Sequence, residues 1–440
     1  MHRTEGDGRA SWRRIRAVRC KRTLEQQCLS LASGLIRIPS LTPVSSALAA
    51  AAAESLCYLQ SFLESGGARC HRLTFEGGHD KWGYPVDNLY AEWDGDETLG
   101  HLCFIGHTDV VPPGDLDLWR SDPFSGIVRD GSLWGRGSTD MKGAIAAFCV
   151  AAAACSHYAA RSRARVSLII TTDEEWAAIN GTQKVLNWMR GSGRTPAAFL
   201  VGEPSSPREV GSHIKIGRRG SLCGTIQMKG VQGHAAYPSL FNNPNRALVL
   251  ALSILSSHRW QDAIEEMPPT AFEIVALASG DFGATAIIPN QAQALWNIRF
   301  TARHNPDGLL AQLQELLERL PDWARNHPDG ASLANVAIIG HTDTASMPYY
   351  SSPTGFARLV SGCVTASTGN TPIFDATGGT TDGRFIHSVF PQAEIVELGL
   401  PENNGDDGGM HQANERCSIT DLGRLLDCYT SILSAYGQLA

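Results

Sequence analysis

The 440-residue chain lacks a run of apolar residues long enough for a membrane helix. Its longest small-apolar stretch, Ala144 to Cys155, falls short of the ~20 residues a span needs. It also lacks any excess of positive charge. Lys plus Arg number 37 against 44 Asp plus Glu, a formal net charge of -7, so no basic field is available to hold nucleic acid or an anionic membrane. The 11 cysteines include no C-x-x-C pair, and an odd, scattered set reads as reduced thiols of a cytoplasmic protein rather than a disulfide frame. There is no disordered or collagen-like bias: 18% of residues are charged and 43% hydrophobic, with 44 Gly and 22 Pro. What remains is an ordinary globular composition, long enough for two or three domains at ~100–200 residues each. The start is the one oddity. Arg3, Arg9, Arg13, Arg14, Arg16, Arg19, Lys21 and Arg22 face only Glu5 and Asp7, and no apolar segment follows, so residues 1–22 read as a frayed basic extension, with a transit-like peptide as the alternative, rather than a secretory signal.

Strand-like runs at Leu102 to Ile105, Arg165 to Thr171, Phe199 to Val201 and Ala393 to Leu398 alternate with helix-like runs at Ala144 to Ala159, Gly181 to Met189 and Leu422 to Leu433. That alternation predicts an α/β sheet covered by helices. The middle differs. Alternating segments Leu222 to Met228, Phe272 to Ala276 and Ala292 to Phe300 surround two helical runs, Arg246 to Ser256 and Gly308 to Leu320, which reads as an α+β insert. Gly-His-Thr-Asp occurs at 106–109 and again at 340–343, but the second copy lacks everything that follows the first and is taken as coincidence.

The residues that carry chemistry sit at the ends of the apolar strands. His107 and Asp109 follow Leu102 to Ile105 at a period of two, so on an extended backbone both side chains point the same way, one to bind a metal and one to hold its ring. A lone histidine there is more often a packed one. Its company changes that: Asp140 in GSTDMKG precedes a helix, Asp173-Glu174-Glu175 follows Val166 to Ile170, Glu203 closes another apolar strand in VGEPSS, and His411 stands in GGMHQANE. Carboxylates and histidines at the carboxyl ends of successive strands are where open α/β sheets build sites, and mixed nitrogen and oxygen donors suit zinc. Charge favours two ions. Asp140, Glu175 and Glu203 as anions with two neutral histidines leave a two-cation shell near +1, which a bridging hydroxide would neutralise. Glu174, beside a ligand but not needed as one, is then free for proton transfer.

The motifs LIRIPSLTP, GHTDVVPPGD, DGSLWGRGSTDMKG, TDEE, VGEPSS, IKIGRRGS, GVQGHAAYP, WNIRF, TGGTTDGRF and HQANE occur in this order between about Thr23 and Leu433. In them the chain resembles the dinuclear zinc deacylase and exopeptidase family. The resemblance implies an α/β catalytic domain of the zinc-exopeptidase type, a central mixed sheet flanked by helices, at 23–219 and 341–440. An α+β dimerisation (lid) domain at 220–340 would interrupt it. It implies two zinc ions per subunit, with cobalt able to take one site. His107 and Glu203 would hold one ion, Glu175 and His411 the other, and Asp140 would bridge them. Asp109 would clamp His107, and Glu174 would be the general acid/base. His234 in the insert would stabilise the oxyanion in the partner subunit's site, which implies a homodimer. Arg218 and the Gly378-Gly379-Thr380 turn would contact the carboxylate and amide of a small-molecule substrate, guanidinium to carboxylate being the natural pairing for a succinyl group.

Two departures bear on substrate. Ala286 stands where relatives carry an asparagine, moving or removing that contact toward Thr285 or Asn290. The loop PENNGDDGGM before His411 is long and acidic, with Asn403 or Asn404 as candidates for the family's asparagine role. The implied activity is metal-dependent amide hydrolysis in a bacterial cytoplasm, without nucleic acid or membrane partners. Desuccinylation is favoured by GRRGS and TGGTTDGRF. Acetylornithine deacetylase or aminoacylase chemistry is the alternative, and a non-catalytic metal-binding relative the third.

Overall fold

The computed structural model describes residues 6–43, 45–77, 85–156, 163–176, 178–318, 336–341, 345–403 and 407–437. The chain divides into two compact units, one of Met1–Ile216, Ser351–Asp375 and Thr381–Ala440, the other of Gly217–Tyr350 and Ala376–Thr380.

The first unit is built on an eight-stranded sheet in the order Arg69–Phe75, Val86–Trp93, Ala164–Thr171, Asp96–His107, Ala198–Val201, Glu394–Glu397, His213–Lys215, Ile373–Asp375. Asp96–His107 runs parallel to both its neighbours, whereas Val86–Trp93 pairs antiparallel on both sides, so the sheet is mixed. The central strands are near-continuous apolar runs because both faces are covered, as parallel sheets require. Gly143–Cys155 lies against Ile419–Tyr436 and Gly6–Ile36. Phe148 stacks on Phe104 of the sheet at 4.2 Å between ring centroids, and Tyr429 meets both rings edge-on. Contrary to the expectation from Ala144 to Cys155 alone, the longer segment Ser138–Cys155 reaches the length and mean hydropathy of a membrane span, yet 83% of it is buried in the unit. It is the core helix.

The basic start differs from the frayed extension expected. Residues Gly6–Ile36 form one continuous helix, and Lys21 at its middle bonds Asp427 on the last helix at 2.5 Å. The basic stretch is therefore the first half of a helix whose second half is packed. The alanine-rich segment after Pro43 forms a helix, Ser46–Ser65, capped by the Ser45 hydroxyl accepting from Leu48 N–H.

The second unit holds a four-stranded antiparallel sheet in the order Ala271–Ser279, Gln291–Phe300, Gly220–Lys229, Val336–His341. Gly220–Lys229 and Gln291–Phe300 alternate buried and part-exposed residues, and Pro244–Ser257 and Pro306–Glu318 supply the apolar side chains that cover the buried face. Leu222, Ile226, Leu252, Trp296, Ile298 and Leu313 centre this core. Gly224 makes room for it: a Cβ there would lie 2.3 Å from the Trp296 ring. The second Gly-His-Thr-Asp begins in the last strand of this sheet, and its Thr342 and Asp343 lie outside the described residues, as does Asn404.

Candidate active site

Three adjacent parallel strands deliver three loops to one edge of the large sheet. His107 is the last residue of Asp96–His107, Glu174 and Glu175 follow Ala164–Thr171, and Glu203 follows Ala198–Val201. Asp140 enters just before Gly143–Cys155, and His411 from the segment that leads into Arg416–Ser418. Hydrogen-bonded strand ends thus bring together residues up to 304 positions apart in sequence, at the carboxyl edge where such sheets open.

The donor atoms converge in two halves that share Asp140. His107 Nε2 is 3.2 Å from Asp140 Oδ1 and 3.4 Å from Glu203 Oε1. His411 Nε2 is 3.4 Å from Asp140 Oδ2 and 3.1 Å from Glu175 Oε1. Each Asp140 oxygen therefore faces a different imidazole. Glu174 also has a carboxylate oxygen within 4.8 Å of donor atoms on His107 and Glu203, but it forms no ion pair with either histidine among the described contacts.

Electrostatics mark the same cluster. Burial, then the charges of Glu203 and Asp382, push the Glu174 carboxyl well above the usual carboxylate range. Burial and the neighbouring Asp140 push Glu203 up to about 7 and Glu175 in the same direction. Asp140 goes the other way: burial opposes its ionisation, but hydrogen bonds from His107 and His411 win and hold it below its ordinary value. Burial pulls the His107 pKa down, yet Asp140 and Glu203 hold it well above the ordinary imidazole value. Hydrogen bonds to Asp140 and Glu175 raise His411 to about 10. Without a cation the histidines are driven to carry protons and the carboxyls to keep theirs. Imidazoles and carboxylates crowded at such distances, each stabilised only by the other's charge, are a donor set suited to divalent metal ions.

The remaining expected residues are placed as follows. Asp109 was expected to clamp His107 through its carboxylate, but its carboxylate Oδ1 stands 3.7 Å from His107 Nδ1, while its backbone carbonyl accepts that N–H at 2.9 Å. The carboxylate instead accepts the backbone N–H groups of Glu174 and Glu175, each at 3.2 Å. Asp109 thus fixes the His107 tautomer through its main chain and the Glu174-Glu175 turn through its side chain. In the other unit, Arg218 is buried and donates to the Thr377 carbonyl at 3.2 Å. Gly378 lies against it with φ 106, where a Cβ would come within 2.2 Å of the Arg218 guanidinium. Gly379 is exposed and Thr380 half-exposed beside this turn. His234 is exposed, pairs with Ile287 across a two-residue ladder, and its Nδ1 accepts the Ala236 N–H at 3.1 Å. That bond leaves the proton of the neutral ring on Nε2. The Ala286 carbonyl accepts from Ala235 N–H, so this position holds the His234 turn through its backbone; Thr285 and Asn290 are exposed nearby in sequence.

Several residues that the sequence did not single out belong to the site. Asp382 is 2% exposed, with both carboxylate oxygens buried. Asn414, with φ 63, accepts from Arg120 N–H at 2.7 Å and donates to the Leu118 carbonyl at 3.0 Å, tying the GDLDLW segment to the segment bearing His411. Arg136 and Glu415 are buried and bonded to the segments that carry Asp140 and His411. Only Asn414 had a legible signal, an asparagine suited to positive φ.

A family model described as peptidase family M20/M25/M40 matches residues 103–435. A succinyl-diaminopimelate desuccinylase of Rhodospirillum centenum is 40% identical over 412 residues, 93% of this chain and 97% of its own length. One of Rhodopseudomonas palustris is 38% identical, over 94% of this chain and 99% of its own length. Among solved structures, human carnosine dipeptidase 1 superposes with a TM-score of 0.71 at 17% identity, covering 96% of this chain and 98% of its own. A dinuclear metal-binding M20 peptidase of Bacillus subtilis superposes with a TM-score of 0.58 at 15% identity, covering 93% and 98%.

Proposed function

The chain belongs to peptidase family M20/M25/M40, and from that premise we propose that it is a metal-dependent amide hydrolase. It cleaves N-succinyl-LL-2,6-diaminopimelate with water to succinate and LL-2,6-diaminopimelate, in lysine and peptidoglycan precursor synthesis. The observation that carries this reading is the pair of relatives bearing that one name, matched at 38% and 40% identity over essentially their whole length.

His107 and Glu203 would hold one metal ion and His411 and Glu175 a second, with Asp140 between them; the half-and-half division of the Asp140 oxygens supports this assignment. We assign zinc to both positions, with cobalt able to take one. When bound, such a pair supplies Lewis acidity toward the amide carbonyl and eases deprotonation of water. Glu174 is the proton carrier. Its buried carboxyl lies beside Glu203 and Asp382, and burial with those charges raises its pKa, which makes its carboxylate a stronger base toward water and a carrier that can return the proton to the leaving nitrogen. Asp109 orients it by accepting its backbone N–H. Arg218 and the turn at Gly379 and Thr380 meet the succinyl carboxylate and the amide.

His234 serves the tetrahedral oxyanion across a homodimer, donating from Nε2 because Nδ1 is already used as an acceptor. Dimerisation is supported by Ala271–Ser279, an edge strand with Val275 and Leu277 exposed at 58% and 64%. Such an edge invites pairing with another strand.

The test is hydrolysis of succinyl-diaminopimelate and acetylornithine side by side, with chelator and metal add-back. Chelator-sensitive preference for the succinyl substrate is expected. Preference for acetylornithine overturns the substrate assignment.

A further inference from the structure

Behind the donor cluster lies an ion pair that the chemistry above does not use. Glu415 is fully buried and Arg136 is 1% exposed. One Glu415 oxygen accepts three backbone N–H groups from a single short segment, those of Gly137 at 3.0 Å, Thr139 at 3.0 Å and Asp140 at 3.2 Å. The other accepts from Arg136 Nη1 at 2.5 Å. Arg136 Nη1 also donates to the Gln412 carbonyl at 3.2 Å, and Nη2 to the carbonyls of His411 at 3.3 Å and Pro112 at 3.4 Å. The two segments so gripped carry Asp140 and His411.

The small three-stranded sheet explains why the pair meets there. Ser132–Trp134 pairs antiparallel with Arg416–Ser418, and the ladder continues as Gly135 N–H donates to the Glu415 carbonyl at 2.8 Å. Glu415 and Arg136 are the residues on either chain just past that ladder. His411 itself sits at φ 62, in the left-handed region that non-glycine residues rarely occupy. Such a conformation persists where its surroundings over-determine it, and a buried guanidinium on the His411 carbonyl is one such constraint. A carboxylate cradled by successive amides fixes a loop in the same way.

We propose that Arg136 and Glu415 are positioning residues that set the segments of Asp140 and His411 in ligating geometry before metal arrives. This rests on the metal-site assignment above. Glu415 acts on the bridging Asp140 and so on both metal positions; Arg136 acts on His411 and so on one.

The experiment is titration of metal-stripped protein with Co2+, read by visible absorption and calorimetry, with His411→Ala identifying the binding step that needs His411. Glu415→Gln keeps the shape but sets an amide against amide donors, and is expected to weaken both steps about ten- to a hundredfold. Arg136→Lys keeps the charge but loses the fork, and is expected to weaken the His411 step by that factor while the other stays within about threefold. A purely structural role would lower thermal stability without separating the two steps. Because an unpaired buried charge can prevent folding, the neutral double variant Arg136→Gln/Glu415→Gln is measured beside them, and hydrogen exchange is followed in the wild type. The backbone amides of Gly137, Thr139 and Asp140 are expected to stay protected in metal-stripped wild-type protein. Unprotected exchange there, or unaltered binding steps in the folded variants, overturns the positioning role alone. Failure of the wild type to take up two ions overturns the metal-site assignment with it.

Discussion

Glu174→Gln is the substitution that most directly separates proton transfer from metal binding. The amide keeps the size of the side chain, and the backbone N–H bonds to Asp109 at 3.2 Å are untouched. What is lost is the ionisable oxygen. In the proposed cycle that oxygen acts twice, first as base toward water and then as acid toward the leaving nitrogen. General acid/base catalysis contributes about 10²–10⁴-fold, so a residue used in both halves should fall toward the upper end, a kcat loss of about 10³–10⁴. At 1.36 kcal/mol per tenfold this is about 4–5.5 kcal/mol of transition-state stabilisation. KM should stay within about threefold, and metal content should stay at two ions per chain, since Glu174 makes no ion pair with His107 or His411 among the described contacts. The assay combines elemental analysis of the purified variant with initial rates on succinyl-diaminopimelate. Activity near wild type refutes the acid/base role. Loss of one ion refutes it differently, because Glu174 lies within 4.8 Å of the His107 and Glu203 donors and would then be a ligand.

Two further outcomes follow from the same geometry. His234→Ala should lower kcat by about 10²–10³, the scale of a lost oxyanion donor, without releasing metal; released metal in elemental analysis would refute the oxyanion role. The joint contribution of Glu203 and His411 to the stability of the metal-free protein should fall as pH rises from about 5 to about 10, read by thermal unfolding in chelator as the difference between wild type and Glu203→Gln/His411→Ala; Lys142, held down to about 7 by burial, pulls the total the other way. Glu203 is raised to about 7, so the fold favours its neutral form and that preference is lost above the unfolded value near 4.5. His411 is raised to about 10, so its contribution is complete below about 6.5 and disappears as pH passes through the folded value. Both signs agree. Metal should reverse the trend by binding the deprotonated ligands, and a wild-type minus variant difference in Tm that grows with pH in chelator would refute the cluster's electrostatics.

How much of the site was legible depended on how each residue is held in place. His107, Glu174, Glu175 and Glu203 stand within a few positions of the apolar runs ending at Ile105, Ile170 and Val201, and those runs became adjacent parallel strands. Local pattern therefore carried them. For Asp109, period-two alternation gave the side chain's direction but not its hydrogen-bond partners. The backbone carbonyl of Asp109 already lies 2.9 Å from the His107 ring, so the carboxylate is free to satisfy the amides of the next loop. The basic start shows a related limit: charge density says nothing of helix continuity, and Gly6–Ile36 is one helix whose second half is packed.

Arg136 and Glu415 were invisible for a deeper reason. Each reads as an ordinary charged residue in a turn, and they are 279 positions apart. Nothing local distinguishes Glu415 from the exposed acids of the same region. The pairing of Ser132–Trp134 with Arg416–Ser418 brings the two together where both are buried, and burial favours partners for their charged oxygens and Nη groups. The partners available are the main-chain groups of the two segments that bear Asp140 and His411. A charge that would be costly alone becomes, through that topology, the means by which the segments of a carboxylate and an imidazole 271 positions apart are held side by side.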